Sequence, residues 1–167
     1  MSQVQNLPLR ERKIDIFFAI MFTLFALSAG VTDTMLAIGV PLTPDSANPM
    51  ARSVYAYAID ADPLFLHPPV WMRIAVGLSA FVYAPFCLLL SYALVRGKNW
   101  IQFPATIYAT SISVITGVIV FGVEFFGEPE WRTQNPAKFL AYNLPYVLVP
   151  LLLLARMRKP LPFARKF

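Results

Sequence analysis

Residues 99–123 read NWIQFPATIYATSISVITGVIVFGV and contain no charged side chain. A helix that crosses a membrane needs about 20 consecutive, mainly apolar residues, because the hydrocarbon core is about 30 Å thick. Backbone groups that face lipid must find partners within their own segment, which forces a helix on any lipid-exposed stretch of this kind. The stretch therefore predicts one transmembrane helix.

Three further stretches are uncharged and of comparable length, at 16–32, 74–95 and 139–155. With some tilt, and with polar residues near their ends, each is long enough to cross the bilayer. Across the whole chain 57% of residues are hydrophobic and 14% are charged, which is more apolar than a water-soluble domain of 167 residues. The sequence predicts four spans.

Prolines interrupt two of these spans. Pro85 lies in the second, and Pro145 and Pro150 lie in the fourth. Each proline lacks a backbone donor and leaves one carbonyl without its helical partner. Two interpretations stay open, kinks that serve packing alone and helices bent apart to enclose a cavity. The fold prediction is an all-α membrane protein, a four-transmembrane-helix bundle with an internal cavity.

Basic residues indicate the orientation of the bundle. Ten of the fourteen Lys and Arg residues precede span one, join spans two and three, or follow span four. Cytoplasmic loops carry such an excess. We therefore expect a cytoplasmic N-terminal segment (1–13), a membrane domain (14–155) and a basic cytoplasmic tail (156–167). Within the domain the spans are expected at about 14–38, 71–95, 100–124 and 138–155.

The same residues argue against nucleic acid as a partner. The net charge is +5, but the basic side chains sit at the ends of apolar runs and form no stripe with interleaved aromatics. A single cysteine, Cys87, excludes an internal disulfide and a cysteine-based metal site. The sequence shows no phosphate-binding glycine loop, nucleophile triad or metal-ligand cluster, so no cofactor, metal site or catalytic residue is predicted.

Two aspartates stand out. Asp33 lies about eighteen residues into span one, roughly 27 Å across at 1.5 Å per residue. It is either an interfacial cap or a functional carboxylate that faces a cavity. Asp62 precedes Pro63 in an apolar-aromatic segment that we expect to pack on the bundle, with a short helix before the proline. If the two carboxylates meet, their repulsion favours a shared proton or a bound cation.

Other polar residues lie within or beside the spans. Glu124 ends the uncharged part of span three, where an interfacial and a functional role both stay open. Asn143 is expected to bond to carbonyls that the span-four prolines free, and Tyr146 to turn its ring toward a cavity. His67, the only histidine, lies in a loop with no ligand spacing around it and is expected to be incidental.

Five motifs in order resemble the EXPERA-domain family, which joins the sigma-2 receptor to the emopamil-binding protein, a sterol Δ8–Δ7 isomerase. The receptor branch is the more similar one. The resemblance implies four or more membrane helices around a cavity for a lipid-like ligand. The motifs are VTDTM (31–35), DPLFLHPPVW (62–71), YAPFCLLLSYAL (83–94), GKNWIQFPATIY (97–108) and NLPYVLVPLLLL (143–154).

The resemblance assigns roles by position. It implies that Asp33 meets the amine of a ligand, that Asp62 supports it and that Tyr146 lines the same pocket. Asn143 is similar to the asparagine that precedes the span-four proline in some members. Glu124 resembles the glutamate that ends span three in the isomerase. Ser79 stands where relatives carry a glutamate, so one carboxylate of an isomerase-like site is absent.

Three functional hypotheses follow. The first is a membrane-embedded binding protein for a sterol or sterol-like lipid and hydrophobic amines, acting in lipid homeostasis or trafficking. The second is a sterol or terpenoid double-bond isomerase, and the third is a trafficking factor that recognises other membrane proteins. Expected partners are a sterol-like or cationic amphiphilic small molecule, membrane lipids and a second copy, because homodimers occur in the family. The expected location is the endoplasmic reticulum in a eukaryote or the inner membrane in a bacterium.

Overall fold

Four long helices form the protein. The computed structural model describes residues 4–166, and the side chains of 6–164. Each of the four is long and apolar enough to cross a membrane, which confirms the all-α, four-span prediction. They are α1 (Lys13–Ala37), α3 (Val70–Arg96), α4 (Asn99–Phe126) and α5 (Pro136–Arg156).

Shorter elements connect and close the bundle. Helix α2 (Pro49–Ala61) lies in the first connection, where a short helix before Pro63 was predicted. Single 3-10 turns follow at Pro63–Phe65 and Pro129–Trp131, and another, Leu9–Glu11, precedes α1. Strands β1 (Val4–Asn6) and β2 (Ala164–Lys166) pair antiparallel and bring the two ends of the chain together.

Three of the spans contain a π-helical turn. These turns are Ala29–Asp33 in α1, Ser79–Tyr83 in α3 and Ile115–Val120 in α4. A π turn holds one residue more than an α turn, and such turns are frequent at functional sites. The sequence prediction placed the interruption of α3 at Pro85 itself. Instead the irregular turn directly precedes the proline, which lies in the regular segment Ala84–Arg96.

The regular hydrogen bonding of helix α5 is interrupted just before Pro145. A segment Pro136–Asn143 ends there, and a second, Pro145–Arg156, begins directly after Leu144. Pro145 has no N–H to donate to the preceding turn, which accounts for the break. Pro150 lies inside the second segment without ending it.

A buried ion cluster ties three spans together at the basic end of the bundle. The Asp15 carboxylate is fully buried and pairs with Arg12 Nη1 at 2.6 Å and with Arg156 Nε at 2.8 Å. Arg12 also donates to the Leu94 carbonyl at 2.8 Å. Both guanidinium groups lie about 5 Å from the centre of the Phe163 ring, at 5.0 Å and 5.1 Å. We call Arg12, Asp15 and Arg156 the ion clamp.

Helix α2 covers the opposite end of the bundle. Its first turn is capped by the Asn48 side chain, which accepts from the Met50 amide at 2.9 Å. One face carries small buried residues, including Ala51 and Ala58, that allow close approach to the spans. On its other side the Lys138 ammonium pairs with Asp60 at 2.8 Å and holds the pKa of that exposed carboxyl below its usual value. The first connection is therefore a folded cover.

Candidate functional site

A cavity of about 380 Å³ lies beneath α2 and is bounded by all four spans. Asp33 and Asp62 both line it, as do Asn143 and Tyr146. Its remaining walls are largely apolar and aromatic, with Met72, Val76 and Val120 among them. The structure thus brings four of the five predicted site residues to one space.

Asp33 reaches the cavity from the π turn of α1. The residue is half-buried and lines the cavity, and the Ser79 hydroxyl lies beside its carboxyl. Among the described residues that line the cavity there is no Lys, Arg or His. The carboxyl therefore has a polar neighbour and no cationic partner.

Asp62 reaches the cavity from the end of α2. Its side chain is fully buried, and the Tyr57 hydroxyl donates to its Oδ2 at 3.3 Å. Burial raises the pKa of Asp62 to about 7. The adjacent side chains of Glu124 and Tyr57 lower this pKa, and the charge of Asp33 raises it. Asp62 is therefore an acid whose ionisation depends on its immediate neighbours.

Glu124 lies behind Asp62 and does not line the cavity. Its carboxyl is completely buried beside that of Asp62, with the backbone amides of Leu64 and Thr133 near it. Neither carboxyl oxygen has a hydrogen-bond partner within the described residues. Glu124 is therefore separated from the cavity lining and lies in contact with Asp62.

Tyr57 joins α2 to α5 above the cavity. It accepts a hydrogen bond from Asn143 Nδ2 at 2.7 Å and donates to Asp62. Burial and the charge of Asp62 raise the pKa of Tyr57, so the phenol stays a neutral donor. Asn143 also donates to the Phe139 carbonyl at 3.0 Å, in its own helix. The prediction that this amide bonds to proline-freed carbonyls was wrong, because Tyr57 comes within reach instead.

Aromatic side chains form the lower part of the cavity. The Tyr146 ring stacks on Phe25, with centroids 4.2 Å apart, and links α5 to α1. The Tyr83 hydroxyl donates to Ser111 Oγ at 2.9 Å, between α3 and α4. These contacts fix the orientation of the Tyr146 and Tyr83 rings in the cavity wall.

Some cavity residues escaped the sequence prediction. Tyr57 gave no signal because α2 lies outside the spans, where an aromatic residue is unremarkable. Ser28 and Thr32 line the cavity one helical turn apart, and that spacing before Asp33 was a usable signal. His67, by contrast, is exposed and does not line the cavity. No group of His, Cys, Asp or Glu side chains that could hold a metal ion occurs in the part of the chain that the structure describes.

Comparison with known proteins places the chain in a family. Residues 49–157 match the EBP family, described as EXPERA, the expanded EBP superfamily. The sigma intracellular receptor 2 of Xenopus tropicalis is 35% identical over 107 residues, which is 58% of this chain and 60% of that protein. The human protein of the same name is 29% identical over 106 residues, with the same coverage.

The family match covers most, but not all, of the candidate site residues. The chain aligns with about 60% of the length of these curated relatives. The family match includes Asp62, Glu124, Asn143 and Tyr146, whereas Asp33 precedes its first residue. Because residues 49–157 cover more than half of the chain and hold most of the cavity, this protein belongs to the EBP family of the EXPERA superfamily.

Proposed function

We propose that the protein is a membrane-embedded binding protein for a sterol or sterol-like lipid and for hydrophobic amines, with a role in lipid homeostasis or trafficking. The observation that carries the proposal is a largely apolar cavity lined by two carboxyls, Asp33 and Asp62, and by no basic side chain in the described lining. Its volume of about 380 Å³ falls in the range of small-molecule sites, roughly 300 to 1,000 Å³.

The proposed affinity has two sources. Apolar walls such as Met72 and Val120 remove hydrocarbon surface from the aqueous or interfacial environment. An ammonium group replaces the repulsion between Asp33 and Asp62 with ion pairs, and the aromatic rings add cation–π attraction. The name of the curated relatives, sigma intracellular receptor 2, supports a ligand-binding role.

A direct test measures equilibrium binding of a labelled hydrophobic amine to the purified protein. We expect saturable binding by the wild type and a loss of tenfold or more in Asp33→Asn and in Asp62→Asn. Asp45→Asn is the matched control, because Asp45 is exposed and lies outside the cavity lining. Equal affinity in all four proteins would refute the carboxylate mechanism.

A double-bond isomerase is the second candidate. It needs one group that donates a proton and another that removes one. The observation in its favour is the contact between two buried carboxyls, Asp62 and Glu124, next to the cavity. Product analysis after incubation with a Δ8-sterol separates the candidates, because a binding protein returns the sterol unchanged.

A further inference from the structure

Three unpartnered atoms mark the contact between Asp62 and Glu124. They are Asp62 Oδ1 and both carboxyl oxygens of Glu124, which are buried and accept no hydrogen bond within the described residues. Both side chains are completely inaccessible to solvent. Buried polar atoms normally have partners, and a buried carboxylate without one is costly.

Among the described residues, no cation forms an ion pair with either carboxyl. Asp33 approaches from α1, Tyr57 from α2 and Asn143 from α5, and none of them carries a positive charge. From α3 the cavity receives Ser79 and apolar side chains. Lys138, at the start of α5, is bound to Asp60 and lies 5.8 Å from the Tyr57 ring centre. If Asp62 and Glu124 were both ionised, their negative charges would therefore repel each other without compensation.

A single proton on one of the two carboxyls removes the repulsion between Asp62 and Glu124. When one carboxyl of a buried pair is protonated, the repulsive contact becomes an O–H···O⁻ hydrogen bond, which is short and strong. Asp62 is the better site for the negative charge, because it accepts from Tyr57 and faces the cavity. Glu124 has only the backbone amides of Leu64 and Thr133 near it. The proton therefore belongs on Glu124.

We propose that Glu124 is a resident carboxylic acid, protonated in the resting protein, that donates a hydrogen bond to Asp62 and so keeps Asp62 ionised. Glu124 is then a positioning residue that sets the charge of the cavity without touching the ligand. The protonation of Glu124 does not depend on the proposed function. The resulting gain in affinity for a cationic ligand does rest on the proposed function.

The first test needs no ligand. The chain has four glutamates, and Glu11, Glu128 and Glu130 are exposed, so Glu124 is the buried one. Infrared spectra of protein with ¹³C-labelled glutamate carboxyls should show one protonated-carboxyl band at neutral pH. The band should disappear in Glu124→Gln. Absence of this band from the wild type at neutral pH would overturn the proposal.

The second test measures amine affinity as a function of pH. Glu124→Gln keeps a hydrogen-bond donor and carries no charge, so its amine affinity should stay within about twofold of the wild type at neutral pH. Glu124→Leu removes the donor, so the fall in affinity at low pH should begin about one pH unit higher, with roughly fivefold weaker binding at neutral pH. If the glutamine variant is as weak as the leucine variant, or the leucine variant matches the wild type, the proposal is wrong.

Two controls separate the possible failures. Binding of an uncharged sterol probe and the melting temperature report whether each variant is folded. A protonated-carboxyl band together with no amine binding by the wild type would contradict the proposed function and leave the protonation of Glu124 standing.

Discussion

At the scale of single residues, Asp62 makes amine binding depend on pH. Its raised pKa means that protonation begins near neutrality, and a neutral carboxyl cannot form the ion pair. For an amine that stays protonated throughout, we expect affinity to fall as pH is lowered through that pKa, up to tenfold per pH unit. Equilibrium binding between pH 5 and pH 8 measures this, and an uncharged sterol probe should show little dependence.

Asp15 provides the second prediction at this scale. Asp15→Asn leaves the buried Arg12 and the partly buried Arg156 without their carboxylate. Loss of one partner from a buried ion pair costs about 3–5 kcal/mol, so the variant should melt well below the wild type. Glu11→Gln is the control, because Glu11 is exposed just before the clamp. Equal melting temperatures would mean that the clamp adds no stability.

These residues differ in how visible they are in the sequence. Asp33 and Asn143 stand out because polar groups inside a span are rare. Asp62 and Tyr146 were candidates from their sequence context, and the resemblance added the roles of all four. Asp15 does not stand out, because it lies three residues after Arg12 at the start of a span, where charges are ordinary. The contact between Asp62 and Glu124 depends on how α2 folds back, which no local pattern specifies.

At the scale of elements, the π turn of α4 must pass close to α5. A Cβ added to Gly117 would lie 3.1 Å from Val147 Cγ1, whereas a Cβ added to Gly122 would meet nothing within 4 Å. We expect Gly117→Leu to force the helices apart at a cost of about 1–3 kcal/mol. Thermal unfolding in detergent should show a lower melting temperature for it than for the matched Gly122→Leu. The reverse order would contradict the assigned packing.

The four spans themselves were predictable, but their internal shape was not. Hydropathy selects apolar stretches of sufficient length, and the helices are where those stretches occur. Hydropathy does not distinguish a π turn from an α turn. The turn Ile115–Val120 is as apolar as its flanks, and the polar residues of Ala29–Asp33 do not indicate the type of helix. The prolines indicated irregular helix, and in α3 the irregular turn lies just before Pro85, where the missing amide frees the Phe81 carbonyl.

At the scale of the whole molecule, the basic end is expected to face the cytoplasm. Cys87 is buried, so a Cys87→Ala protein offers a clean background for single cysteines. In sealed membrane vesicles that enclose the cytoplasmic face, an impermeant maleimide should label His67→Cys directly and Lys159→Cys only after permeabilisation. Both residues are exposed in the structure. The opposite pattern would reverse the orientation.

The ion clamp also has a consequence for synthesis on the ribosome. Arg12 and Asp15 are synthesised first, the Leu94 carbonyl follows with the second span, and Arg156 comes last, at the end of the fourth span. Before Arg156 is synthesised, the Asp15 carboxylate can pair with Arg12 alone. The last turn of α5 thus completes an ion cluster that begins at Arg12, and we expect a nascent chain truncated before Arg156 to lack this link between its first and last spans.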